Sequence, residues 1–371
     1  MARRDQYQEL ADPVKIGLLM DGPAKYSDNI LRVCELVAEQ YKAAGRFERG
    51  FEFIPVYPWG PPAGFIQNTI DAFHELCDKG CVAVIGGTHS DDCIAVPPHA
   101  CEREVPFIAM GATGDSMTDW SFSIGWGTIP QDGYVMVSWL KKNGYKRVIA
   151  TWDRAAHAAE YMAHFRNACA RAGIEILSEY RFPQILVPEL DDIFTSVTGR
   201  LKALQPDALA HFGTGPVAGR WADFVNKNWN DLPRVMNGAF YGAYEPEYRA
   251  VYEGWVGTSM WDEDNPTAAK FAKEFAARYP EAGDVPIELL ALSYDVARAI
   301  VEGVVQAPIL TPDGVRRGLE MVEMIPAACG GPRTCIAFNP HAHLGHLGPD
   351  TMILRRVKDG QNLKEGYAEL F

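Results

Sequence analysis

The sequence is short of positive charge: 35 lysines and arginines stand against 48 aspartates and glutamates, a formal net charge of −13 at pH 7. That balance repels phosphate backbones, and the basic residues are scattered singly instead of forming a stripe, so nucleic acid is excluded as a partner. Anionic membrane surfaces are excluded by the same reasoning. Nothing approaches the run of about 18–20 apolar residues that a bilayer crossing needs. The arginines in Met1-Ala2-Arg3-Arg4-Asp5-Gln6-Tyr7-Gln8-Glu9-Leu10 are not followed by the apolar stretch of a secretory leader. No direct membrane insertion is expected. As written the chain reads as cytoplasmic, or as periplasmic if a native export signal is missing from it.

The motifs of cofactor and hydrolytic chemistry are also missing. Gly86-Gly87-Thr88-His89-Ser90 follows a strand but has neither the G-x-G-x-x-G nor the G-x-x-x-x-G-K-[ST] spacing. Gly125-Trp126-Gly127 and Gly213-Thr214-Gly215 are bare G-x-G triplets and read as turns. G-x-S-x-G and H-E-x-x-H do not occur. His341, His343 and His346 form the densest histidine group, yet Pro340, Gly345, Gly348 and Pro349 make the segment read as an exposed turn, with no carboxylate or thiol at a ligating spacing. Neither a metal nor a cofactor is expected.

Cysteine is present but not concentrated: Cys34, Cys77, Cys81, Cys93, Cys101, Cys169, Cys329 and Cys335 are spread over helices and loops and read as reduced thiols. Cys77 and Cys81 straddle a helix end and a strand start, a poor zinc half-site. Cys329 and Cys335 flank the turn Gly330-Gly331-Pro332, so a disulfide between them stays open for an oxidising compartment.

What is there is a soluble-type composition, 47% apolar and 22% charged, over 371 residues. A single core stops growing at about 250–300 residues, so two lobes are the default. Short apolar runs without strict alternation recur at Val14–Met20, Phe51–Tyr57, Val82–Ile85, Val105–Ala109, Arg147–Trp152 and Ala208–Phe212, the pattern of strands covered on both faces. Between them come helical segments, one with Leu31, Cys34, Val37, Ala38 and Tyr41 at three- and four-residue steps, others ending near Cys77 and Ala172, and one over Ile193–Leu204. This alternation predicts parallel sheets wrapped by helices. In such sheets ligands bind beyond the carboxyl ends of the strands, which directs attention to the loops after Met20, Tyr57, Gly86, Met110, Trp152 and Phe212. Those loops are rich in rings: Tyr26, Trp59, Trp152, His157, Phe240, Tyr241 and Trp261. Together they suit an apolar small-molecule site, although each alone is ordinary core material.

Several segments, in order, resemble the leucine/isoleucine/valine-binding group of type I periplasmic binding proteins. Lys15-Ile16-Gly17 with Gly22-Pro23-Ala24 is similar to the opening strand and first ligand loop, and Gly80 to Ser90 to the stretch ending in a ligand-binding serine. Glu104-Val105-Pro106-Phe107-Ile108 with Gly111-Ala112-Thr113 resembles the segment whose amides and threonine hold a carboxylate. Ile129-Pro130-Gln131-Asp132-Gly133, Ser293-Tyr294-Asp295, Leu310 to Val315 and Val357-Lys358-Asp359-Gly360 continue the series. The resemblance implies an α/β fold of two Rossmann-like lobes with parallel central sheets and three interlobe crossovers, near Gly127–Asp132, Trp255–Asp262 and Pro326–Phe338. It places 1–128 and 258–327 in one lobe and 129–257 and 328–371 in the other.

Two departures reshape the implied site. Phe240-Tyr241 stands where relatives often carry an acid for the ligand's ammonium, and an unpaired ammonium is costly to bury, so a free α-amino acid is a doubtful ligand. His157-Ala158 stands where a Tyr-Gly pair is common. The expected site is Tyr26, Trp59, Ser90, Gly111, Ala112, Thr113, Trp152, His157, Gly213, Phe240 and Tyr241. The implied function is a binding protein that closes by hinge motion on a carboxylate- or amide-bearing, apolar or aromatic solute, as the receptor of an ABC importer with a permease as partner. The alternatives are a cytoplasmic sensor of the same fold working with a regulatory protein and, from another class, an enzyme using His157 or His89 as a base.

Overall fold

In the computed structural model the described residues are 12–20, 24–61, 64–111, 113–125, 129–282 and 285–367. The elements follow in chain order. The first half runs β1 Val14–Leu19, α1 Ala24–Ala43, β2 Phe51–Val56, α2 Ile66–Asp78, β3 Ala83–Gly86, α3 Ser90–Arg103, β4 Phe107–Ala109 and β5 Ser121–Ser123. Next come α4 Ile129–Lys142, β6 Arg147–Trp152, α5 Ala156–Ala172, β7 Glu175–Arg181, α6 Leu190–Lys202, β8 Ala208–Phe212, α7 Gly215–Asn228, β9 Arg234–Met236 and β10 Val256–Ser259. The last part is α8 Pro266–Arg278, α9 Ile287–Gln306, α10 Pro312–Glu320, β11 Ile325–Pro326, β12 Cys335–Ile336, β13 His346–Leu347, β14 Ile353–Lys358 and β15 Gln361–Tyr367.

These elements form two compact units, Met1–Gly125 with Glu263–Gly348 and Trp126–Asp262 with Pro349–Phe371. The first holds a parallel sheet ordered β2-β1-β3-β4-β5. Its central strands are buried because they are continuously apolar: Ile16, Leu18, Val84, Ile85, Phe107 and Ile108 have almost no exposure. Ala72, Phe73 and Leu76 from α2 and Cys93, Val96 and Ala100 from α3 cover one face and share a core with Leu19, Val84 and Phe107.

The second unit holds the order β15-β14-β10-β9-β8-β6-β7, parallel from β10 to β7 and antiparallel through β14 and β15. Phe182, Phe194 and Trp221 pack ring against ring in its core, with centroids 4.8–5.0 Å apart. The β14–β15 hairpin turns at Asp359-Gly360, both at positive φ as a two-residue type I′ turn requires. Glu253 accepts the two turn amides, at 2.9 and 3.1 Å.

The segment 328–348, assigned from sequence to the second lobe, lies in the first unit. The reason is hydrogen bonding to residues far away in the sequence. Ser123 of β5 donates its amide to His343 and accepts from the Gly345 amide, each at 2.8 Å, so this chain runs beside the first sheet. Two side chains also clamp its entry. Asp295 in α9 accepts the Ala328 and Cys329 amides at 2.7 and 2.8 Å, while the Asn265 amide group lies within 2.9–3.4 Å of the Ala327, Ala328, Gly330 and Gly331 carbonyls. The histidine segment is therefore not an exposed turn. His341 is exposed, but His343 and His346 are buried. His343 stacks on Phe122 with centroids 4.0 Å apart, and its Nδ1 faces the Thr118 carbonyl at 2.7 Å. All eight cysteines are free thiols, Cys329 and Cys335 among them.

Candidate functional site

In the first unit the candidate loops follow β3 and β4. Ser90 is the first residue of α3, buried, with His89 half-buried at the N-cap; no capping bond from the His89 side chain is made. Gly111 passes directly over that first turn. A Cβ at Gly111 would meet the Cys93 sulfur at 2.6 Å and the Ser90 Cα at 3.7 Å, so only glycine permits this approach of the β4 loop to the start of α3. The turn is further fixed by Ser123, whose hydroxyl donates to the Gly111 carbonyl at 2.7 Å, and by the Cys93 thiol, which reaches the Gly87 carbonyl at 2.9 Å.

Thr113 closes this loop. Its carbonyl accepts the Ser116 hydroxyl at 2.6 Å, while its own hydroxyl, in a residue only 2% exposed, has no hydrogen-bond partner among the described residues. A buried orphan hydroxyl costs about 1–3 kcal/mol and calls for an external partner. Ala112 lies outside the described residues. Tyr26 in α1 is half-buried, and Trp59 is 63% exposed with its ring edge-on to Phe65 at 5.8 Å.

In the second unit the loops after β6, β8 and β9 meet at Asp153. Its carboxylate accepts the Ala155 amide and the Thr214 amide, both at 2.9 Å, tying the start of α5 to the start of α7. Gly213 donates its amide to Asn237 at 3.3 Å. Trp152 is half-buried under the Arg181 guanidinium, 5.3 Å from the ring centroid. His157 is buried on α5, edge-on to Tyr161 at 6.0 Å, and Tyr161 stacks on Phe212 at 6.0 Å. Tyr241 is half-buried, and desolvation pushes its hydroxyl pKa up.

Phe240 is a correction. It has no exposure and belongs to the second unit's core beside Tyr252 and Trp255, so its ring is not presented to a ligand. The cause is Gly257 in β10: a Cβ there would sit 2.0 Å from the Phe240 ring, and its absence opens the slot the ring fills.

Two residues quoted only as parts of longer motifs, or not at all, mark this end of the sheet. Asp132, at the start of α4, has no exposure, and burial pushes its carboxyl up to about 6; the Thr258 and Tyr161 hydroxyls and the Gly238 amide draw it back toward the charged form. His211, at the end of β8, meets the Thr151 hydroxyl at 3.0 Å, and burial lowers its pKa to about 3, so it is neutral. A polar residue inside an apolar strand, as in Ala208-Leu209-Ala210-His211-Phe212, was the available signal for His211.

Two α/β units built on parallel sheets, with the chain passing from one to the other three times, are the architecture of type I periplasmic binding proteins. A family model described as periplasmic binding protein matches residues 13–361. The chain belongs to this family, whose members are binding proteins rather than enzymes. Solved structures with the same fold include the leucine binding protein LivK from Thermotoga maritima, at TM-score 0.78 and 18% identity over 96% of this chain and 99% of that one. An R. palustris ABC-transporter solute binding protein in complex with benzoate gives TM-score 0.77 and 18% identity, over 96% and 97%. LivJ from Streptococcus pneumoniae in complex with isoleucine gives 0.77 and 19%, over 96% and 100%. No curated protein matches the chain by sequence.

Proposed function

We propose that the protein is the solute receptor of an ABC importer and binds a small carboxylate or amide with an apolar or aromatic body. The polar head docks on the first unit's loops, at Ser90, the backbone of Gly111 and Thr113 and the Thr113 hydroxyl. Rings in the loops of each unit, Tyr26 and Trp59 in the first and Trp152, His157 and Tyr241 in the second, are the candidates for contact with an apolar or aromatic body. The observation that carries this reading is the buried Thr113 hydroxyl, which has no partner among the described residues, in the loop that Gly111 brings over the start of α3. Backbone amides and hydroxyls satisfy an oxyanion or carbonyl without any lysine or arginine. The benzoate held by one similar protein is a compound of this chemical kind.

Replacing Thr113 by valine keeps the shape and removes the hydroxyl. A hydrogen bond to a charged group contributes roughly 1.5–3 kcal/mol, or about one to two decades in Kd. Calorimetric titration with a bound acid should show that loss for Thr113→Val, while the unliganded protein melts no lower than wild type because an unsatisfied buried group has gone. An unchanged Kd would remove Thr113 from the site.

A further inference from the structure

We propose that Asp295, Cys329 and His346 form a binding site for a zinc-type divalent cation inside the first unit. The three come from α9, from the loop after β11 and from β13, so nothing in their sequence spacing announces them. A carboxylate oxygen, the thiol sulfur and an imidazole nitrogen lie within 4.8 Å of one another, and all three residues are buried. In a tetrahedral site with bonds of about 2.0–2.3 Å, neighbouring donors stand roughly 3.3–3.8 Å apart, so small side-chain shifts bring the set onto one ion. The donor set selects the metal: sulfur with imidazole suits zinc and its chemical neighbours, whereas magnesium and calcium take oxygen.

The carboxylate is already held in place. The Ala328 and Cys329 amides donate to Asp295 Oδ1 and Oδ2, and outer hydrogen bonds of this kind fix the orientation of a ligating group. Without a cation, protons occupy the cluster. His346 Nε2 donates to Asp295 Oδ2 at 3.0 Å, and burial next to the Asp295 charge pushes the Cys329 thiol well above its usual pKa, so the thiol is protonated. On binding, the Cys329 proton leaves to solvent and the thiolate sulfur bonds the ion. His346 moves its Nε2 proton to Nδ1, which is buried and has no partner among the described residues, and the freed Nε2 lone pair becomes the second ligand. Asp295 supplies the third, and the fourth position is left to a water. Two anions then offset the two positive charges of the ion, which lowers the cost of burying it, although the Arg298 guanidinium also stands 4.0 Å from Asp295 Oδ1. The site would staple a region whose regular structure is three two-residue strands to a twenty-residue helix.

Cobalt(II) is the probe, because thiolate bound to it gives a near-ultraviolet charge-transfer band that binding to histidines alone, such as His74 and His99 with ring nitrogens 3.1 Å apart, does not. Titration of the full chain should reach one equivalent with that band, and zinc should displace the cobalt and raise the melting temperature. Cys329→Ala should abolish the band and weaken zinc binding by more than about 10-fold, the lower end of what even an outer partner contributes. Absence of the band in wild type, or its persistence in Cys329→Ala, overturns the site. If Cys329→Ala does not fold, X-ray absorption on the zinc-loaded wild type decides: one sulfur at about 2.3 Å with nitrogen and oxygen at about 2.0–2.2 Å supports the assignment, and nitrogen and oxygen alone contradict it.

Discussion

Asp132 sits fully buried at the start of α4 with its carboxyl raised to about 6. An unfolded aspartate titrates near 3.9, so between about pH 4 and about pH 6 the folded chain holds a proton that the unfolded chain has lost. The stability linked to this proton is fully present below about pH 4 and is lost as pH rises through about 6. A shift of roughly two units corresponds to on the order of 3 kcal/mol. Asp132→Asn should therefore stabilise the protein at pH 7.5 by up to that amount and flatten the fall in stability between about pH 4 and about pH 6, as read by denaturant unfolding. A mutant less stable at pH 7.5 with an unchanged slope would show that Asp132 is held ionised. At this scale the sequence was partly legible. The positions of Ser90, Gly111 and Thr113 after β3 and β4 followed from the apolar runs that precede them. Phe240 did not, because its fate depends on a missing side chain at Gly257, seventeen positions away.

The elements that could be read were those whose pattern is local. Strands β1, β3, β6 and β8 are continuous apolar runs, and Asp359-Gly360 names its own hairpin turn. Edge strand β7 was missed because none of its residues is fully buried and polar residues interrupt its apolar ones, and β11 to β13 because strands of two residues carry no period. What orders that last region is long-range. Asn265 caps α8, accepting from the Thr267 and Ala268 amides at 2.9 and 3.3 Å, and its NH2 group is the donor shared by four loop carbonyls. Asn265→Ala removes a cap of about 1 kcal/mol and leaves buried carbonyls short of a donor at about 1–3 kcal/mol, so a loss of roughly 2 kcal/mol or more is expected. Asn265→Asp keeps the cap but replaces the donor by a carboxylate oxygen facing the same carbonyls. If thermal or denaturant unfolding shows Asn265→Asp as stable as wild type, the loop does not depend on that amide.

The protein as a whole is a member of a periplasmic-binding-protein family built as two α/β units, one on a parallel sheet and one on a sheet that is parallel from β10 to β7. Composition and element order made the two-unit α/β plan legible. The division at 328–348 was not, since it rests on hydrogen bonds from Ser123, Asp295 and Asn265 that no stretch of sequence displays. The central claim is that the native protein binds a small acid or amide and leaves it chemically unchanged. Thermal melting against a panel of aromatic and aliphatic acids, their amides and nucleotides, followed by mass spectrometry of the compound released on unfolding, tests it most directly. The account predicts that at least one acid or amide adds about 2.7 kcal/mol at a hundredfold excess over its Kd, seen as a raised melting temperature, and is recovered intact. A shift from nucleotides alone, or recovery of an altered compound, would contradict it.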